Sequence, residues 1–216
     1  MTNTRGKWRG RRVVGGVAAA LLVAAAAYGI FEYRATWHIA EVVPGRLYRS
    51  SQMNPERLAR HAAAHGIATV IDFRDVGTGD DRPGEPRMRE AVARERAAME
   101  ARGIRHVSVS SEQVPSPETL ERFLATVETH EGPFLLHCRH GIGRTGLFTA
   151  LFLIELEGYG NVAAHRNVSR HYSLRPRGRR NFRPDRAKGR FILTYTPRAG
   201  SPTATSNPPR DNTHGR

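Results

Sequence analysis

The segment His137-Cys138-Arg139-His140-Gly141-Ile142-Gly143-Arg144-Thr145-Gly146 constrains this chain more than any other. Phe134-Leu135-Leu136 before it reads as a short buried strand, and Leu147 to Leu156 after it as a largely apolar helix. A chain that passes from strand to helix through two closely spaced glycines turns tightly, and its loop amides point inward. The helix start adds positive potential at the same point, so the loop forms a cup for an anion with several oxygens. Arg144 stands at the helix entry, where a guanidinium can grip two such oxygens at once. Cys138, the only cysteine, lies at the base of the cup, and surroundings of this kind favour the thiolate, the reactive form. A buried cysteine with no chemical task is common in cores, but that reading leaves Gly141, Gly143 and Arg144 without a reason.

His-Cys-x5-Arg-Thr, carried by His137, Cys138, Arg144 and Thr145, resembles the signature of the cysteine-dependent protein tyrosine phosphatases. The domain as a whole resembles their small dual-specificity branch. Val43-Pro44-Gly45-Arg46-Leu47-Tyr48-Arg49-Ser50-Ser51-Gln52 is similar to the segment with which many bacterial members open their domain, with Met53 where a proline is usual. The resemblance spans residues 37–196 and implies two-step phosphoryl transfer. Cys138 attacks phosphorus and forms a phosphocysteine. The amides and side chains of Arg139, His140, Gly141, Ile142, Gly143 and Arg144 bind the phosphoryl oxygens, where transition-state charge is spread. By the same resemblance Thr145 donates to the sulfur and helps it leave, and His137 orients and tunes the nucleophile.

The leaving oxygen needs a proton, in this family usually from an Asp in the loop ahead of the cysteine. Glu112, the only carboxylate between Ile104 and Glu118, is the first candidate, although it departs from the family's Asp. Asp75, at the edge of the preceding strand, is the rival, and a solvated loop charge is the plain alternative for Glu112. No metal and no other cofactor is called for, because the arginine and the amides meet the phosphate charge.

Along the chain, Trp37 to Tyr48 reads as a hairpin around Pro44-Gly45, and Asn54-Pro55 as the start of a helix that Gly66 ends. Strands follow over 68–73 and 104–109, and helices to about Ala101, over 117–129, near 161–171 and near 184–195. Strands alternating with helices predict an α/β fold with a mostly parallel central sheet flanked by helices. Ligands of such sheets sit at the C-terminal strand ends, where Cys138, Arg74 and the 110–116 loop should converge.

The net charge of +14 over 216 residues suggests a nucleic-acid binder until it is divided. Residues 1–12 carry five Lys/Arg and no acid, and residues 175–190 carry seven arginines and Lys188 against Asp185, which leaves +2 for the rest. Few aromatics interleave with these arginines, so no nucleic-acid partner is expected. Arg139-His140 and the 175–190 stretch suit a polyanionic substrate or an anionic membrane surface, or for the longer stretch simply a solvated connection. Residues 13–31 are nineteen positions without a charge, read as a transmembrane anchor with residues 1–12 in the cytoplasm and the phosphatase domain (37–196) outside it. A cleaved signal segment is the alternative, given Ala25-Ala26-Ala27. Ser, Thr, Pro and Asn dominate the end, so 197–216 is expected to lack fixed structure.

The expected substrate is a phosphorylated protein or small phosphomonoester: phosphotyrosine, with phosphoserine and phosphothreonine open to a pocket this small domain leaves shallow. Two alternatives stand beside it. One is a phosphoinositide or inositol-phosphate phosphatase, against which Ile142 argues mildly. The other is a catalytically weak phosphate-binding module. A rhodanese-type sulfurtransferase fits less well, because Arg144-Thr145-Gly146 favours phosphate.

Overall fold

A computed structural model describes Val17 and residues 19–28, 39–74, 86–171 and 180–202. Residues 1–38 and 39–216 form separate units. In the first, Val17 and residues 19–28 are helical and exposed. No helix among the described residues is long and apolar enough to cross a membrane, so the transmembrane helix expected over 13–31 is not supported. Residues 13–16, 18 and 29–31 of that run lie outside the described residues.

The second unit runs β1 (Ile39–Val43), β2 (Leu47–Ser51), α1 (Pro55–Ala64), β3 (Thr69–Asp72), α2 (Pro86–Glu100), β4 (Arg105–Ser108), α3 (Pro117–Thr129), β5 (Phe134–Cys138), α4 (Gly143–Glu157), α5 (Asn161–His171) and α6 (Ala187–Thr194). The sheet order is β1-β2-β5-β3-β4. Its pairs are parallel except for the β1–β2 hairpin, so the sheet is mixed, with antiparallel pairing confined to one edge. Asn54 starts α1 by accepting from the amides of Glu56 (3.1 Å) and Arg57 (3.2 Å), with Pro55 in the first turn. Ser116 and Pro117 start α3 in the same way, the hydroxyl accepting from Thr119 N–H at 3.2 Å.

Alternation along the strands divides the core in two. Ile71, Phe73, Leu136 and Cys138 face a cluster that includes Phe123, Phe148 and Phe152, where the Phe73 and Phe148 rings stack 4.0 Å apart. Val70, Leu135 and Tyr48 face the other cluster, with Leu58, Ala62 and Met99. Cys138 therefore belongs to the α4 side of the sheet, and the side chains that alternate with it belong to the α1–α2 side.

The tail expected to lack structure from residue 197 is ordered for its first residues. Arg198 N–H donates to Glu155 Oε1 at 3.1 Å, and Ser201 is buried with its hydroxyl on the Ile154 carbonyl at 3.2 Å. The carboxylate of Glu155, at the buried end of α4, holds this segment against the core. Residues 203–216 lie outside the described residues.

Candidate active site

Cys138 ends β5 and is buried at the floor of a cavity of about 210 Å3, whose other walls include Gln113, His140, Ile142, Arg144 and Asn181. The loop between Cys138 and α4 packs against the end of β2. Gln52 N–H donates to the carbonyls of Cys138 (2.9 Å) and Arg139 (3.2 Å). Gly141 has φ +64°, and a Cβ there would lie 2.6 Å from the Ser50 carbonyl oxygen and 2.7 Å from Ser51 N. Both constraints demand glycine, which is how the sequence brings the loop this close to the neighbouring strand. Helix α4 begins after Ile142 with no side-chain cap, unlike α1 and α3. Its first-turn amides are thus left for a ligand rather than for a capping oxygen.

Arg144 is buried, and its Nη1 donates to the carbonyls of Phe73 (2.9 Å) and Ser111 (3.2 Å). Those two bonds join the end of β3 and the 110–116 loop to the start of α4, the convergence expected of the strand ends. Ser110 Oγ adds a bond to the Arg74 carbonyl at 3.3 Å. Thr145 is fully buried, and its hydroxyl has no hydrogen-bond partner among the described residues. A buried hydroxyl left spare is a donor held in reserve. Arg139 and His140 are exposed, and His140 also lines the cavity.

Glu112 is not brought to the cavity. It is exposed, and its carboxylate faces Thr119 Oγ1 on α3 at 3.4 Å, while Gln113 takes the place at the cavity wall. Asp75 lies outside the described residues.

His137 points to the other face of the sheet, as alternation requires, into a fully buried set of charges. Its Nε2 stands 2.8 Å from Glu95 Oε1 on α2 and 3.8 Å from Asp72 Oδ1. The same Glu95 oxygen meets Arg74 Nη2 at 2.8 Å and His106 Nε2 at 3.0 Å. Arg74 also forks onto Asp72 through Nε (2.9 and 2.8 Å) and Nη2 (2.6 Å). Two carboxylates face one guanidinium here, so a proton on one imidazole closes the charge balance. Burial pulls the His137 imidazole down, but the Glu95 and Asp72 carboxylates outweigh it and raise its pKa. Burial pushes Glu95 up, yet the charge of His137 beside it, the hydrogen bond with His106 and the Arg74 guanidinium hold it well below the usual carboxylate range.

Asp72, Glu95, His106 and His137 bring donor atoms to within 4.8 Å of one another, a set that could in principle hold a divalent cation. The Arg74 guanidinium already contacts both carboxylates and supplies positive charge where the ion would sit. The cluster is better described as an ion-pair network beneath the loop.

Three of these residues carried no role in the sequence reading. Gln113 and Asn181 line the cavity, and Lys188 on α6, also buried, bonds Gln113 through Nζ at 2.5 Å. The basic stretch near the C-terminus therefore reaches the site through Asn181 and Lys188, although residues 172–179 lie outside the described residues.

With this geometry in place, similarity to known proteins gives the class. Residues 37–188 match the PTP-SAK family, described as the DSP-PTPase phosphatase domain of Swiss Army Knife proteins, and the chain belongs to that family. The dual specificity protein phosphatase TpbA of Pseudomonas aeruginosa (strain UCBPP-PA14) is 38% identical over 128 residues, covering 57% of this chain and 50% of that protein. The chain thus spans about half the length of this curated relative. Among solved structures, the Cydia pomonella PTP-2 phosphatase aligns with a TM-score of 0.51 at 13% identity, covering 72% of this chain and 88% of that one. The core catalytic domain of the PP-IP phosphatase SIW14 from S. cerevisiae aligns with a TM-score of 0.50 at 20% identity, covering 73% and 85%. At these identities the two structures speak for the fold alone.

Proposed function

We propose that this domain hydrolyses phosphomonoesters, phosphotyrosine foremost, through a phosphocysteine intermediate. The observation that carries the reading is Cys138 on the floor of a cavity closed by Arg144 and the uncapped start of α4. The Cys138 thiolate attacks phosphorus as the ester P–O bond breaks, and the departing oxygen takes a proton. Water then attacks the phosphocysteine, inorganic phosphate leaves, and the sulfur departs with its electron pair, assisted by the spare hydroxyl of Thr145. Arg144 and the loop amides carry the charge on the transferring group, so no step calls for a metal. TpbA, the relative at 38% identity, is named a dual specificity protein phosphatase, which supports a protein phosphomonoester as substrate here.

Glu112 is our candidate for the proton donor. It adjoins Ser111, whose carbonyl accepts from Arg144, and its contact with Thr119 is long for a hydrogen bond, so a change of side-chain rotamer frees it. The turned-away carboxylate favours a second reading, a phosphate-binding module with little turnover. Hydrolysis of an aryl phosphate without added metal separates the two. The phosphatase reading expects turnover by the wild type and none by Cys138→Ser. A folded wild type that binds vanadate but does not turn over supports the module.

For location, we propose that residues 1–12 stay in the cytoplasm and the domain is exported, from the five basic residues ahead of the charge-free run 13–31. A C-terminal reporter fusion active only in the cytoplasm would overturn this.

A further inference from the structure

Lys188, in the first turn of α6, is buried, and lysine is almost never buried unless it is paired. Its Nζ donates to Gln113 Oε1 at 2.5 Å, in the middle of the 110–116 loop. A Cβ on Gly143, the first residue of α4, would stand 3.1 Å from Lys188 Cε and 3.3 Å from Gln113 Oε1. The pair therefore lies directly against the start of α4, and Gln113 and Gly143 both line the cavity over Cys138.

Backbone packing sets where the lysine stands. A Cβ on Gly189 would collide with the Arg183 carbonyl, so glycine alone lets α6 begin this close to it. Arg186 N–H donates to the same carbonyl at 2.9 Å, and Phe182 and Ile192 are buried in the core on the α4 side. A side chain rooted in so rigid a base has little further freedom to lose when its bond forms.

The 110–116 loop is held at three points. At its start Arg144 Nη1 donates to the Ser111 carbonyl at 3.2 Å, and at its end Ser116 caps α3. Lys188 holds the middle through Gln113. Glu112 stands between the first and the middle hold as an exposed side chain. Its backbone is thus fixed on both sides while its carboxylate keeps its choice of rotamer.

We propose that Lys188 is a positioning residue of the reaction: by holding Gln113 against the start of α4, it keeps the 110–116 loop where the leaving oxygen receives its proton. The inference rests on the phosphatase reading and deepens it. Without the bond the centre of the loop loses a hold, and ordering the donor then costs conformational entropy in each turnover. An activated aryl oxygen leaves with little help from a proton, so it is insensitive to where the donor stands; an alkyl oxygen is sensitive.

The test compares full-length wild type, Lys188→Met, Gln113→Ala and the double variant on an alkyl phosphate and an activated aryl phosphate. Lys188→Met keeps an unbranched stem and removes the donor. Losing this charge-assisted hydrogen bond should lower kcat on the alkyl ester about tenfold and on the aryl ester only about twofold. The double variant should lose no more than the larger single loss, since the two residues act as one pair. Equal losses on the two esters, as a merely structural lysine would give, overturn the proposal. So do additive losses in the double variant, or a wild-type rate on the alkyl ester in Lys188→Met. Should Lys188→Met fail to fold, Gln113→Ala alone must show the same split between the esters, and its absence is refutation. Should the wild type not turn over the aryl ester, the phosphatase reading fails separately. Hydrogen exchange of the 110–116 amides, faster or unchanged in Lys188→Met, then decides whether the lysine holds the loop.

Discussion

Replacing Glu95 by glutamine keeps the shape of the side chain and removes the charge that three buried partners share. Its Oε1 meets Arg74 Nη2 at 2.8 Å, His106 Nε2 at 3.0 Å and His137 Nε2 at 2.8 Å. Removing one partner of a buried pair costs about 3–5 kcal/mol, because the other charge stays uncompensated. Here two features soften the loss. Asp72 remains on Arg74 through its fork, and His137 can release its proton once Glu95 no longer holds it. The cost therefore falls at the lower end, about 3 kcal/mol. For a domain of this size that lowers the thermal midpoint by roughly 6–12 °C.

The sign of the pH dependence follows from the two shifts. His137 is raised above its ordinary 6.5, so its contribution is full below that value and is lost as pH rises through the folded pKa. Glu95 is depressed from 4.5, so its contribution is present above that value and is lost only as pH falls through its folded pKa. The gap between wild type and Glu95→Gln should thus be widest between pH 4.5 and 6.5 and narrow in more alkaline buffer. Thermal melts of both proteins across a pH series at constant ionic strength read this directly. A shift below about 2 °C, or a gap that does not change with pH, refutes a stabilising network centred on Glu95.

Glu112→Gln should depress turnover far more for an alkyl phosphate, whose oxygen leaves poorly, than for an activated aryl phosphate. Equal losses on the two esters would remove Glu112 from the reaction. Gly141→Ala puts a methyl group 2.6 Å from the Ser50 carbonyl at a backbone angle alanine rarely adopts. The loop must then shift off β2, so aryl phosphate hydrolysis should fall at least about tenfold, in line with the sensitivity of reacting geometry to small displacements. Unchanged kinetics would mean that the close packing on β2 does not set the loop's shape.

The candidate nucleophile was legible because its requirements are local. Strand, glycine turn and helix start occupy consecutive residues, and no distant part of the chain is needed to recognise Cys138 and Arg144 as a pair. Asn181, Gln113 and Lys188 were not legible for the opposite reason: they meet at the cavity only after α6 returns across α4. The anchor expected over 13–31 has no support among the described residues, which cover only Val17 and residues 19–28 of that run.

Glu95 lies between these cases, because a signal existed. Glu90, Glu95 and Glu100 look alike in an Arg/Glu/Ala-rich segment, and Glu90 and Glu100 are indeed exposed. Met88, Val92 and Met99, by contrast, form the buried stripe of α2, and Glu95 occupies the place in that stripe where an apolar residue belongs. Asp72 at the end of β3 and Arg74 just after it repeat the pattern, two residues apart and paired with each other. A charge at a core position needs partners, and alternation along β5 turns His137 towards these charges and away from Cys138. The motif writes His137 and Cys138 as neighbours, yet the fold assigns them to opposite faces of the sheet. One face carries the proposed chemistry, and the other carries a charge network at the strand ends from which the loop after Cys138 springs.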